Sequence, residues 1–173
     1  MDNKYREAVR WIDYAEKDLA SAIKLFTPPA PVFESAVYHC QQAAEKAAKS
    51  LLIIHDEPIV KTHDIGRIVA KLNNFGDDMK DLGVLGERLT DYALLYRYPS
   101  VGNDVETLTE DDVQRAIDDA TTFVTRAKHI VAHNSEIHSF QKAIEVCQVC
   151  NCAACECPND GGSGSGSGMH PAG

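Results

Sequence analysis

The stretch FESAVYHCQQAAEKAAKSLLII, from Phe33 to Ile54, sets apolar residues at Phe33, Val37, Cys40, Ala44, Ala47, Leu51 and Ile54. Steps of four and three alternate, which is the seam of a helix laid lengthwise against other helices. Ala43, Ala44, Ala47 and Ala48 keep that seam narrow, so a neighbouring backbone can come close. Gln41, Gln42, Glu45, Lys46 and Lys49 cover the other side, and Glu45 precedes Lys49 by four residues, the favourable order for an ion pair. The pattern predicts a central amphipathic helix.

The same period recurs on both sides of it. Val9, Ile12, Ala15, Leu19, Ile23 and Phe26 mark a helix from about Asn3 to Phe26, and Pro28, Pro29 and Pro31 end it with a stiff connection. HDEPIVK (55–61) reads as a loop, after which Thr62 or Asp64 caps a short helix carrying Ile65, Ile68, Val69 and Leu72. Asn73 to Asp77 reads as a turn. A fourth helix from about Asp78 to Tyr96 presents Leu82, Leu85, Leu89, Tyr92 and Tyr96, with Gly83 and Gly86 either interrupting it or admitting a close neighbour. Pro99 stops it. Thr109-Glu110-Asp111-Asp112 resembles a capping box with Asp112 in place of the preferred Glu. Val113, Ile117, Ala120, Val124, Ala127 and Val131 then form the inner face of a fifth helix. A weaker continuation through Ile130, Ile137 and Ile144 extends it to roughly 55 Å, against roughly 35 Å for each of the first two. It therefore either projects beyond the bundle or breaks near His133-Asn134-Ser135.

The predicted class is all-α, an up-and-down bundle of four to five antiparallel helices with a flexible Cys-rich and Gly/Ser-rich C-terminal tail. Residues 1–133 form the bundle, 134–146 a helical extension, 147–157 a cysteine cluster and 158–173 a disordered Gly/Ser segment. A chain of 173 residues, 44% hydrophobic and 25% charged, is ordinary for one soluble domain plus a tail. No apolar run approaches a membrane span, and the opening MDNKYREAVR is no signal peptide. The expected location is cytoplasmic, with no membrane partner. A formal charge of -9 argues against a broad phosphate-binding surface and leaves room for a local basic patch.

Tyr38-His39-Cys40-Gln41-Gln42-Ala43-Ala44-Glu45-Lys46-Ala47-Ala48-Lys49 resembles the signature of the HEPN domain (higher eukaryotes and prokaryotes nucleotide-binding). Trp11, Ala15, Asp18-Leu19, Thr62-His63-Asp64-Ile65 and Tyr96-Arg97-Tyr98-Pro99 agree with it in order and spacing, and the likeness covers roughly Lys4 to Ile130. The resemblance implies a homodimeric domain that binds RNA or a nucleotide and is often partnered with a small nucleotidyltransferase, as in toxin–antitoxin pairs. In HEPN ribonucleases it further implies an arginine followed after four to six residues by a histidine, two such motifs cleaving RNA across a dimer without metal. Here the segment is Arg97-Tyr-Pro-Ser-Val-Gly-Asn103, with asparagine at the histidine's place. Asn103 can orient a hydroxyl or phosphate, but it cannot accept and return a proton near neutral pH as imidazole does.

Arg97 ends the fourth helix, where it either interacts with the negative helix end or holds a phosphate with its planar donors. Tyr98 and His39 are the further phosphate- or nucleotide-binding candidates, a structural hydrogen bond being the plainer role for His39. His63 orders a loop at a helix start, and His55 ends the second helix, where cationic imidazole is favourable. None of these three forms a His-x-x-x-His pair. The bundle itself calls for no cofactor. Cys147, Cys150, Cys152, Cys155 and Cys157 are dense enough to chelate zinc or another thiophilic metal, in a spacing closer to a metallothionein loop than to a zinc ribbon. Free thiols in a tail are the alternative. Cys40 is a small core residue. Asp111, Asp112, Asp118 and Asp119 read as a solvated acidic face. Glycine-rich phosphate loops, nucleophile elbows and the nucleotidyltransferase Gly-Ser pattern are missing.

Three functional readings follow: a binding and regulatory HEPN module, a metal-independent ribonuclease toxin using Arg97 and Asn103, or a thiol-rich metal sensor dimerised through its bundle. Since apolar periodicity fades by Val146, deleting everything after it is expected to leave the melting temperature nearly unchanged. Calorimetry of the full and shortened chains measures this, and a clear drop would tie the cysteine cluster to the bundle.

Overall fold

The computed structural model of the chain describes residues 3–76, 78–97 and 107–150, with side chains over 3–76, 79–92 and 107–144. Among the described residues five α-helices follow one another: α1 (Asn3–Phe26), α2 (Phe33–Ile54), α3 (Ile65–Ala70), α4 (Asp78–Arg97) and α5 (Glu110–Cys150). A 3-10 turn, Asn73–Phe75, replaces the plain turn expected between α3 and α4. The described residues contain no strand, and no helix among them is long and apolar enough to cross a membrane. The chain divides into two compact units, Met1–Ser139 and Phe140–Gly173.

Cross-helix pairs give the directions. Lys4 bonds Asp56 at 2.6 Å, and Trp11 faces Lys49, so α1 and α2 run antiparallel. Arg88 grips Asp119 with two bonds of 2.8 and 2.7 Å, while Arg126 reaches Asp81 at 3.1 Å, so α4 and α5 are antiparallel too. Lys128 bonds Glu16 at 2.5 Å and His138 packs on Tyr5, which opposes α5 to α1. Asp119 is thus a buried partner of Arg88 and no part of a solvated acidic face. The helix starts follow local chemistry. Asp64 accepts from the Arg67 N–H, and Thr109 and Asp112 each accept the other's backbone N–H, the capping box completed by aspartate.

Two faces differ from the sequence pattern. On α1 the buried row is Tyr5, Ala8, Ile12, Ala15 and Ala22, while Leu19 is only partly buried and Ile23 is exposed. Ala8, Ala15 and Ala22 are the deepest of this row, which lets α1 come close to the alanine-rich α2 and leaves Leu19 and Ile23 on the flank. On α2 burial extends nearly all round, to Gln41 at 2% and Glu45 at 5% exposure, so its polar side is enclosed rather than solvated. The seam residues Val37, Cys40, Ala44, Ala47, Leu51 and Ile54 are buried as expected.

Gly86 serves the close neighbour and does not interrupt α4. A Cβ there would stand 2.6 Å from Ile65 Cγ2, and one at Gly66 would stand 2.8 Å from Glu87 Cγ. The two glycines let the start of α3 press on α4, where the Thr90 hydroxyl accepts the Ile65 N–H. α5 runs unbroken through His133-Asn134-Ser135, where Asn134 donates to the Ile130 carbonyl and Ser139 to that of Ser135.

Ala47→Leu is expected to cost about 1–3 kcal/mol by overpacking a fully buried seam. Gly86→Ala should also destabilise, although alanine gains about 1 kcal/mol of helix preference, since the clash with Ile65 is of the larger class. Denaturant melts of both variants test the packing, and parent-like midpoints would contradict it.

Candidate functional site

The signature residues converge on one side of the α1–α2 pair. Asp18 on α1 receives His39 Nδ1 at 3.1 Å through one oxygen and Lys46 Nζ through the other. One turn away, Glu45 accepts from Lys49 at 2.6 Å and from Gln41 at 2.9 Å, and His63 Nδ1 lies 3.0 Å from it. Gln41 also donates to the His63 carbonyl at 3.1 Å, and Gln42 donates to Gln41. Burial alone would raise the Glu45 pKa, but bonds from Lys49, His63 and Gln41, with the Lys49 charge, outweigh it and hold the carboxyl below its ordinary value.

Beside these networks lies a cleft of about 540 Å³ lined by Asn3, Arg6, Glu7, Arg10, Trp11, Tyr14 and Lys46. Its α1 residues sit at helical spacing on the side away from the alanine row. Lys49 Nζ is 5.9 Å from the Trp11 ring centroid, and Lys17 Nζ is 4.8 Å from that of Tyr14, which is 58% exposed. Three cations against one carboxylate make the lining positive in a chain of charge -9. Lys46 is engaged by Asp18, whereas Arg10 makes no ion pair among the described residues. Guanidinium groups beside the exposed Tyr14 and the half-buried Trp11 suit a ligand that joins an anion to a planar ring.

Of the candidates read from sequence, His39 lies at this site, in the hydrogen bond of its plainer role. The backbone of Arg97 is the last residue of α4. Its side chain, together with Tyr98 and Asn103, lies outside the described residues. Cys147 and Cys150 fall in the last turns of α5 with side chains outside the description, and Cys152, Cys155 and Cys157 lie beyond it. Cys40 is buried, and desolvation pushes its thiol up to about 12, so it is inert. His63 orders its loop as expected.

His55 corrects an expectation. Burial, then the Lys4 charge, lower its pKa despite Asp56 and Glu57, so neutral rather than cationic imidazole is favoured at the end of α2. It stacks on Phe75 with centroids 4.1 Å apart. Arg6, Arg10 and Tyr14 were missed because an exposed helix face carries no period of its own. The pair His129 and His133 was also passed over, although the spacing His-x-x-x-His was readable. Among the described residues no group of three His, Cys, Asp or Glu side chains is arranged to hold a metal.

An all-α bundle packed around an alanine-rich central helix, whose polar signature pairs with Asp18 of α1 and with His63 before α3, defines the class. The chain belongs to the HEPN domain family, whose profile matches residues 8–130. Two solved structures are similar to it. TT1696 from Thermus thermophilus is 25% identical with a TM-score of 0.61, over 70% of this chain and 96% of that one. ST0689, described as an archaeal HEPN homologue, is 26% identical with a TM-score of 0.57, over 72% and 97%. No curated protein sequence matches.

Because the folded Glu45 pKa is depressed, its contribution to stability is present above the ordinary carboxylate range and is lost as pH falls through the folded value. Glu45→Gln is expected to lower stability at neutral pH by about 1–3 kcal/mol and to flatten the fall in melting temperature on acidification. Melting curves between neutral and acid pH check this, and an unchanged acid slope would count against the network.

Proposed function

We propose that this HEPN domain binds RNA or a nucleotide by its phosphate and acts as a homodimeric regulatory module beside a small nucleotidyltransferase. The observation that carries this reading is the cleft lined by Arg6, Arg10, Trp11, Tyr14 and Lys46. A nucleotide supplies both things the lining matches, an anionic group for Arg10 and a base for the faces of Tyr14 and Trp11. Single-stranded nucleic acid is held elsewhere by this combination, with stacking worth about 1–3 kcal/mol per base. In this reading Arg97 and Tyr98 add a second phosphate contact at the end of α4. His39 keeps Asp18, and through it Lys46, in place at the cleft edge. The homodimer and the nucleotidyltransferase partner rest on the family resemblance.

Cleavage is not part of the proposal. Asn103 stands where a ribonuclease of this family would carry the proton-transferring histidine, and general acid–base help contributes about 10²–10⁴-fold. A site keeping only Arg97 retains phosphate affinity and loses most of its rate.

The test joins binding and cleavage on the same protein. Fluorescence anisotropy with a labelled short single-stranded RNA, competed by ATP and GTP, is expected to give saturable binding that weakens as salt rises. Arg10→Ala should weaken it at least about tenfold, or roughly 1.4 kcal/mol, and Tyr14→Ala by a smaller factor. Arg97→Ala reads the second contact. Binding that survives all three variants would refute the reading. Single-turnover cleavage of a mixed RNA pool with EDTA present should be absent or very weak, and Asn103→His should raise it. Robust parent cleavage that depends on Arg97 would replace the proposal with the ribonuclease.

A further inference from the structure

We infer that His129 and His133 form a two-histidine chelate for a divalent late first-row metal ion, such as Ni²⁺, Cu²⁺ or Zn²⁺, on the exposed face of α5. The two residues are four apart in HIVAH (129–133) and so lie one turn above the other on one helix face. Their rings lie side by side in a stack, at 12° with centroids 6.3 Å apart. Both side chains are exposed, and neither ring is engaged in a hydrogen bond or ion pair among the described residues. Their nitrogens are therefore available without breaking anything in the fold. Imidazole nitrogen is the ligand that these metals share.

The separation of the two rings is within reach of what a metal requires. With metal–nitrogen bonds of ~2.0–2.1 Å and a tetrahedral angle, two bound imidazole centroids stand roughly 5 Å apart. From the 6.3 Å stack, each exposed ring must turn about its side-chain torsions so that an in-plane nitrogen lone pair points at a common metal. The surroundings do not repel a dication strongly. Arg126 is paired with Asp81 and Lys128 with Glu16, so the nearest cations are already neutralised. Glu136 lies three residues beyond His133 on the same face and is exposed, adding negative potential. Two protein nitrogens leave the remaining coordination positions to water or to an outside ligand. The site is thus an open one and differs from the closed four-ligand sites that hold a metal structurally. It involves neither the α1–α2 cleft nor the tail thiols.

The test uses the full-length protein titrated with Ni²⁺ alone, after its accessible thiols have been blocked with iodoacetamide. Cys40, fully buried with its thiol pushed up to about 12, escapes that reagent. Calorimetry is expected to give one Ni²⁺ per chain, with His129→Ala and His133→Ala each weakening it at least tenfold. His138→Ala and His170→Ala should leave it unchanged. Adding Ile137→His to His129→Ala rebuilds a pair four residues apart with His133 and should restore the affinity. Circular dichroism establishes that the helix survives each change. Parent-like affinity in either His129→Ala or His133→Ala, binding that follows His170, or failure of Ile137→His to rescue would each overturn the inference.

Discussion

Glu45 sits in the middle of a helix enclosed by its neighbours, where a carboxylate without partners costs several kcal/mol and drags its pKa upward. It is held ionised because three donors reach it from different parts of the chain: Lys49 and Gln41 on α2 and His63 in the loop before α3. The last of these has consequences beyond the charge. Tying His63 to α2, by ring and by carbonyl, fixes where the chain leaves the loop and so where Asp64 can cap α3. From there Ile65 and Gly66 meet Gly86 and Glu87, and the Thr90 hydroxyl closes the contact. One buried carboxylate thus sets the entry to α3 and the approach of α4.

Much of the fold was legible because bundle helices carry a period. The seam of α2, the inner face of α5 from Val113 to Val131 and the capping box at Thr109 were all written in spacing and residue type. What failed was the assumption that large apolar residues mark the buried side. On α1 the alanines at 8, 15 and 22 are deeper than Leu19 or Ile23, because the contact with α2 is a close approach of backbones that favours the smallest side chains. The same enclosure hides Gln41 and Glu45, which in sequence look like the wet side of an amphipathic helix. Period alone does not say how many neighbours a helix has.

The site was less legible for a related reason. His39 could be singled out from the signature, yet its partner Asp18 is twenty-one residues away on another helix, a pairing that only the antiparallel α1–α2 register supplies. Arg6, Arg10 and Tyr14 are unremarkable surface residues in sequence. They become a lining only when Lys46 is brought up beside them from α2.

The register also determines how the cleft uses its charges. Glu45, Lys46 and Lys49 occupy adjoining positions on α2, but Lys49 is spent on the buried carboxylate and Lys46 on Asp18. In the proposed reading an incoming phosphate would therefore compete with Asp18 for Lys46, whereas Arg10 makes no ion pair among the described residues. The chain's net negative charge is screened beyond about 10 Å at moderate salt, so it opposes an anion only on close approach. Charge alone then gives weak capture. The ligand that gains most is one whose planar ring settles on Tyr14 or Trp11 while its anion reaches Arg10, since stacking is indifferent to the distant field. Under the proposed function a bare inorganic anion would have only the second of these contacts, and the cleft would discriminate against it by the first.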